Sequence, residues 1–213
     1  MSPEVFAVAI VVVILSIIFH EVAHGYVANW LGDPTARLAG RLTLNPLPHI
    51  DPVGSVIIPG ILALSGTPFL IGWAKPVPYN PYNLRHGKWG EALVSVAGPA
   101  TNILIAVVFA VILRVFFSTL SPLFVQVAVL AVIANLVLAI INLIPIPPLD
   151  GSKILKAVLP VSAAISYQRL EHMTYALGPI GLIGVLLLLL FVFSDVVSGF
   201  VFLLFSLLTG LSF

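Results

Sequence analysis

The chain has no cysteine, which excludes disulfides and every thiolate metal site. It also has little charge. Asp, Glu, Lys and Arg make up 8% of its 213 residues, against roughly a quarter in an ordinary soluble domain. So few charges cannot cover a folded chain with a solvated surface. A hydrophobic share of 60% and a mean hydropathy of +1.18 place it in lipid instead. A net charge of +1 gives no sign of nucleic-acid binding. The stretches that are not strongly apolar, about 32–51, 73–90 and 145–174, are too short for a separate soluble domain, because cores much below about 40 residues need staples. Residues 1–213 therefore read as a single membrane domain.

A helix crossing about 30 Å of hydrocarbon needs roughly 20 apolar residues. Val5–Leu31, Ala92–Phe117 and Leu123–Ile144 meet that length. The tract 175–213 is too long for one crossing, and Ser194-Asp195 divides it into two short helices, about 175–193 and 196–212. The expected fold is an all-α polytopic bundle of about five spans. The N-terminus has neither the basic region nor the small-residue cleavage site of a removable signal, so Val5 onward is expected in the mature protein.

The run Pro52–Gly72 is long enough to span, yet Pro52, Gly54, Pro59, Gly60, Gly66 and Pro68 argue against a regular helix. If it dips in and returns, Arg37, Arg41, Lys75, Arg85, Lys88, Lys153, Lys156 and Arg169 share one face, and only Arg114 lies near the other. If it spans, Arg37 and Arg41 are cut off from the rest. The positive-inside rule favours a re-entrant segment, a cytoplasmic basic face and an outside N-terminus. Irregular backbone at that depth also implies a wet or protein-lined cavity.

His20-Glu21-Val22-Ala23-His24 lies inside the first span. Residues four apart share a helix face, so the two imidazoles suit two nitrogen ligands of a tetrahedral zinc. Glu21 is placed to take a proton from a metal-bound water. Chance occurrence is the bland alternative, but a Glu and two His in a lipid-embedded helix are costly unless paired, hydrated or metal-bound. Gly25 removes a side chain near the same level, leaving room for another backbone to approach. A third ligand is needed. Position 30 is Trp30, and no Glu lies between Glu21 and Glu91. Asp150 is the candidate, since Pro145, Pro147 and Pro148 break the chain just after a span and can turn a carboxylate back toward the bundle. Its alternative role is to cap the short helix beginning near Ser152. With 52–72 re-entrant, the His helix and the span ending near Ile144 run the same way, and both sites lie toward the cytoplasmic half.

Together these segments resemble the site-2 protease family of intramembrane zinc metalloproteases. The resemblance is carried by His20–Gly25, by Asn45-Pro46-Leu47-Pro48-His49-Ile50-Asp51-Pro52, by Lys75-Pro76-Val77-Pro78, by Ala97-Gly98-Pro99-Ala100-Thr101-Asn102 and by Asn142–Gly151, in the family's order. No PDZ or CBS-type domain accompanies them, so the chain looks like a minimal member, with a catalytic core about 5–155 and C-terminal helices about 175–212.

The resemblance implies one Zn2+ per chain held by His20, His24 and Asp150, with Glu21 as general base. It implies cleavage of a peptide bond within or beside a transmembrane helix of a protein substrate, in a bacterial or archaeal cell membrane. It also implies a small membrane-embedded β-hairpin around Leu38–Leu44, whose edge would hold an unwound substrate. Asn142 is the candidate oxyanion donor, or a structural cap for carbonyls freed by Pro145. Asn102, after a Gly-Pro kink, either orients the site or joins two helices, and Asn135 reads as helix-joining. His49 and Asp51 read as loop-shaping, and His86 and His172 as solvated. The competing functions are a metal-binding membrane transporter or sensor, for which the outer halves of the spans offer no polar path, and an inactive helix-binding scaffold, against which Glu21 argues.

Overall fold

The computed structural model describes residues 3–65 and 72–211. Its elements are helical, and among the described residues there is no β-strand. Among the described residues three single helices are long and apolar enough to cross a bilayer: α1 (Pro3–Trp30), α4 (Lys88–Phe116) and α5 (Pro122–Leu143). Between α1 and α4 come a single turn, α2 (Thr35–Leu38), and a short helix, α3 (Ile58–Leu64), entered through a π-helical turn at Pro52–Ile57. After α5 follow α6 (Asp150–Val158), α7 (Val161–Ala176), α8 (Pro179–Val192) and α9 (Ser194–Thr209).

The sequence argues against a regular helix in 52–72, yet 52–64 is helical. Asp51 caps its start, accepting from the Val53 and Gly54 amides at 3.0 and 2.7 Å, and Pro52 occupies a first-turn position that needs no donor. The wider π turn ends just before Pro59, where an α-turn would lose a hydrogen bond to the missing N–H. The far end of the run is tied to its beginning. The Trp73 amide donates to Gly54 O, Ser55 Oγ to Trp73 O, and the Lys75 amide to His49 O. Gly54 is indispensable here, because a Cβ on it would lie 2.2 Å from the Trp73 indole.

The hairpin expected around Leu38–Leu44 is not formed. Residues 39–44 are turn and bends, the Arg41 amide bonding back to Ala36 O while the Arg41 guanidinium reaches Lys75 O at 2.8 Å. These bonds curl the segment onto α2, so it offers no ladder partner. The tract 175–213 does contain two short apolar helices, but they are not a pair of crossings. Arg114, near the C-terminus of α4, donates to Leu207 O and Leu208 O near the C-terminus of α9, so α4 and α9 run parallel. Two successive crossings would make them antiparallel. The reason is geometric: α7 and α8 meet at a 110° elbow, and α8, about 21 Å long, is too short to span.

The main core lies among α4, α5 and α9. Ala106, Ala110 and Ala128 let the helices approach closely, and Leu113, Leu136 and Phe205 fill the remaining space. Beside α1, Ala28, Leu31, Leu84 and Val94 form a second cluster. It is stapled by buried Asp33, which accepts from the Asn80 amide (2.7 Å), Asn83 Nδ2 (2.9 Å) and Thr35 Oγ1 (2.6 Å).

Candidate metal centre

α1 brings His20 and His24 onto one face, one turn apart, with their rings edge-to-face at 4.6 Å. α5 ends at Leu143, and the proline-rich turn after it leads directly into α6. Gly151 makes that tight return possible. A Cβ there would lie 2.3 Å from Leu143 O and 2.6 Å from Ile144 O. The return turns Asp150 toward α1, its Oδ2 lying 3.1 Å from His20 Nε2 and 3.2 Å from His24 Nε2.

His20 Nε2, His24 Nε2 and Asp150 Oδ2 form a triangle with edges of 3.0, 3.1 and 3.2 Å. A tetrahedral zinc with bonds near 2.0 Å requires ligand–ligand edges of about 3.3 Å, so the three atoms are spaced to share one ion. The imidazoles are buried and the Asp150 side chain is 12% exposed. Gly98 of α4 keeps the space beside the triangle clear. A Cβ there would lie 2.5 Å from His24 Nε2 and 2.6 Å from His20 Nε2. A borderline-soft cation with two imidazoles and one carboxylate fits both the donor set and the cradle.

The outer nitrogens of both rings are engaged. His20 Nδ1 donates to Asn102 Oδ1, and His24 Nδ1 donates to Val94 O at 2.7 Å. Both Nε2 atoms are left as lone-pair donors toward the shared point, the arrangement a metal-binding histidine requires.

Glu21 is half-buried beside the triangle, and its Oε2 accepts the Val77 amide at 2.8 Å. A cavity of about 400 Å3 opens over the site, lined by Glu21, Asp150, Asn142, Trp73 and the α7–α8 elbow. Asn142 reaches the cavity wall while donating Nδ2 to Leu138 O at 2.9 Å. Thus His20, Glu21, His24, Asp150, Asn142 and Asn102 all come together around one point. Asn135 touches Asn102, one step further from it. His49 and Asp51 shape the loop, with His49 Nε2 on Thr43 O, and His86 and His172 are exposed.

Four contributors were not singled out from the sequence: the Val94 carbonyl, the Val77 amide, the clearance at Gly98 and Ser16. Ser16 left a signal in its spacing, one helical turn before His20 on the same face, and Val77 and Gly98 lie within the motifs that carry the resemblance without a role being assigned to them. Gly25 admits side chains where backbone was expected, since a Cβ there would meet Leu42 Cδ2 and Val77 Cγ1.

The profile described as peptidase family M50 matches residues 119–190. The chain is 34% identical over 188 residues to the Bacillus subtilis (strain 168) protein named "Putative zinc metalloprotease YwhC", covering 81% of each. It is 32% identical over 148 residues to "Putative zinc metalloprotease Rip2" of Mycolicibacterium smegmatis, covering 69% of this chain and 55% of that one. To "Zinc metalloprotease MJ0392" of Methanocaldococcus jannaschii it is 26% identical over 155 residues, 72% of this chain and 34% of the other. No solved structure matches the chain.

Proposed function

Because the chain belongs to peptidase family M50, the site-2 proteases, we propose that this membrane zinc metalloprotease cleaves its substrates within or beside their transmembrane helices, with His20, His24 and Asp150 holding the zinc and Glu21 as the general base. One observation carries the reading: three ligand atoms from two distant helices converge inside an apolar bundle, with a carboxylate and a cavity beside them. Zinc bound there supplies Lewis acidity, lowering the pKa of a coordinated water toward about 7 and polarising the scissile carbonyl.

The remaining work belongs to the protein. The Val77 amide anchors one oxygen of Glu21, and the carboxylate moves a proton from the attacking water to the leaving nitrogen. Asn142 Nδ2 carries two hydrogens. One engages Leu138 O, and the second is available to the oxyanion that forms at the substrate carbonyl. Asn102 orients His20 through Nδ1.

A transmembrane helix hides its amides, so a substrate must unwind before hydrolysis. In Lys75-Pro76-Val77-Pro78 each proline favours extended backbone in the residue before it, and Ala74, Pro76 and Val77 line the cavity. This extended stretch has no amide left for strand addition, because Pro76 and Pro78 lack an N–H and the Lys75 and Val77 amides are already engaged, so it forms a wall of the cavity in which an unwound substrate would lie.

We further propose that the run 52–72, of which 66–71 lie outside the described residues, is re-entrant, that 1–213 is one membrane domain with its catalytic core in about 5–155, and that the site faces the cytoplasmic half of a cell membrane. The paired ends of 52–72 and the basic face support that orientation. The test uses purified protein in detergent with a transmembrane-helix substrate. Glu21→Gln is expected to keep one zinc per chain and lose cleavage by at least about 10²-fold. Cleavage at the wild-type rate would remove Glu21 from the mechanism.

A further inference from the structure

We propose that Asn135 and Ser16 are positioning residues for the metal, acting through Asn102 to dictate which ring nitrogen of His20 carries its proton. The inference rests on reading His20 as a zinc ligand.

The four side chains form one buried chain across α1, α4 and α5, and its direction is fixed by backbone carbonyls, which can only accept. Ala131 O is 2.8 Å from one end of the Asn135 carboxamide, so that end is the donor Nδ2. The same nitrogen donates to Ser16 Oγ at 2.8 Å, whose own hydrogen goes to Val12 O at 2.8 Å. Asn135 therefore turns Oδ1, an acceptor, toward Asn102 Nδ2 at 2.7 Å. Ser16 O, at 3.3 Å, is a second accept-only neighbour of that nitrogen.

Asn102 cannot rotate its amide without setting acceptor against acceptor. Its Oδ1 must face His20, so His20 Nδ1 must donate and Nε2 must keep its lone pair for the ion. Asn102 and Asn135 are fully buried and Ser16 nearly so, at a depth where lipid offers no replacement partner. Without the Asn135 acceptor, only the longer contact to Ser16 O opposes a flip of Asn102. Its NH2 would then face Nδ1, the ring proton would move to Nε2, and no lone pair would point at the ion.

This predicts a rescue that packing alone would not produce. Asn135→Leu is expected to weaken Zn2+ affinity by about 10–100-fold in competition with a chelator. In metal-free protein it is also expected to shift the His20 ring-nitrogen NMR signals away from the Nδ1–H form. Adding Asn102→Asp is expected to restore both, because an ionised carboxylate has no donor end and needs no partner to orient it. Ser16→Ala should give a smaller loss and Ser16→Thr, which keeps the hydroxyl, little or none.

The proposal is overturned if the double variant binds Zn2+ as weakly as Asn135→Leu, or if Asn135→Leu binds like wild type. Should Asn135→Leu fail to fold, the Ser16 pair decides: Ser16→Ala must weaken Zn2+ binding and shift the ring-nitrogen signals, and Ser16→Thr must leave both at the wild-type values. The ring-nitrogen spectra are read without metal. A wild-type protein that bound no Zn2+ would defeat the metal assignment, while the tautomer would still be scored.

Discussion

The carboxylate of Glu21 accepts the backbone amide of Val77, 56 residues away, at 2.8 Å. A lipid-embedded helix is thereby joined to the stretch returning from residues 52–72, and the orientation of the base depends on a main-chain donor that no ordinary side-chain change removes.

Val77→Pro removes that donor. Turnover is expected to fall by up to about 10²-fold, since a small misplacement of a catalytic group has effects of that size. Val77→Ala keeps the amide and loses only the packing against Gly25, so it is the control. Steady-state cleavage and zinc content of both variants check the point: equal rates would show that the amide is immaterial.

Gly98→Ala tests the cradle. Alanine favours helix over glycine by up to about 1 kcal/mol, so α4 should form at least as well. The added methyl would lie 2.5–2.6 Å from both metal-facing nitrogens, forcing the rings aside. Loss of zinc with unchanged circular dichroism is the expected outcome. Retained zinc would mean that the rings coordinate from a different position.

Much of this centre was legible before any coordinates, for identifiable reasons. His20, Glu21 and His24 obey helical spacing, and Asp150 follows a proline cluster that cannot continue α5. What spacing cannot supply is which backbone atom approaches a side chain. The Val94 carbonyl and the Val77 amide carry no mark in the sequence for that reason. The turn at 39–44 departs from the hairpin that the resemblance implies because the Arg41 bonds to Ala36 O and Lys75 O, which curl it, carry no mark in local sequence. The α8–α9 tract was divided nearly correctly but given the wrong course, because hydropathy measures length in lipid and is blind to a 110° elbow.

Acid should loosen the junction between α1 and residues 80–85. Burial works to raise the pKa of Asp33, but hydrogen bonds from Thr35, Asn83 and Asn80 prevail and hold it below its ordinary value. A carboxylate with a depressed folded pKa contributes stability that is fully present above the unfolded value of about 3.9. That stability is lost as pH falls through the lower folded value. Asp33→Ala should cost about 2–3 kcal/mol near neutrality and progressively less below pH about 4. Thermal unfolding in detergent across that range checks it, and a pH-independent difference would show that the charge plays no part.

The absence of native cysteine makes the course of the chain directly measurable, because any single introduced thiol is the only one present. Arg37 and Lys88 are both exposed and flank the 52–72 run, whereas Thr119 lies between α4 and α5. If the run enters and returns, Arg37→Cys and Lys88→Cys share a side and Thr119→Cys is opposite. A membrane-impermeant maleimide applied to intact cells should therefore label Thr119→Cys alone, and label the other two only after the membrane is opened. Labelling of Arg37→Cys but not Lys88→Cys in intact cells would make 52–72 a true crossing. It would also place α1 and α5 in opposite directions, so that Asp150 emerged on the face away from His24. The metal triangle and the re-entrant course therefore stand or fall together, and the labelling result bears on the zinc site without any zinc being measured.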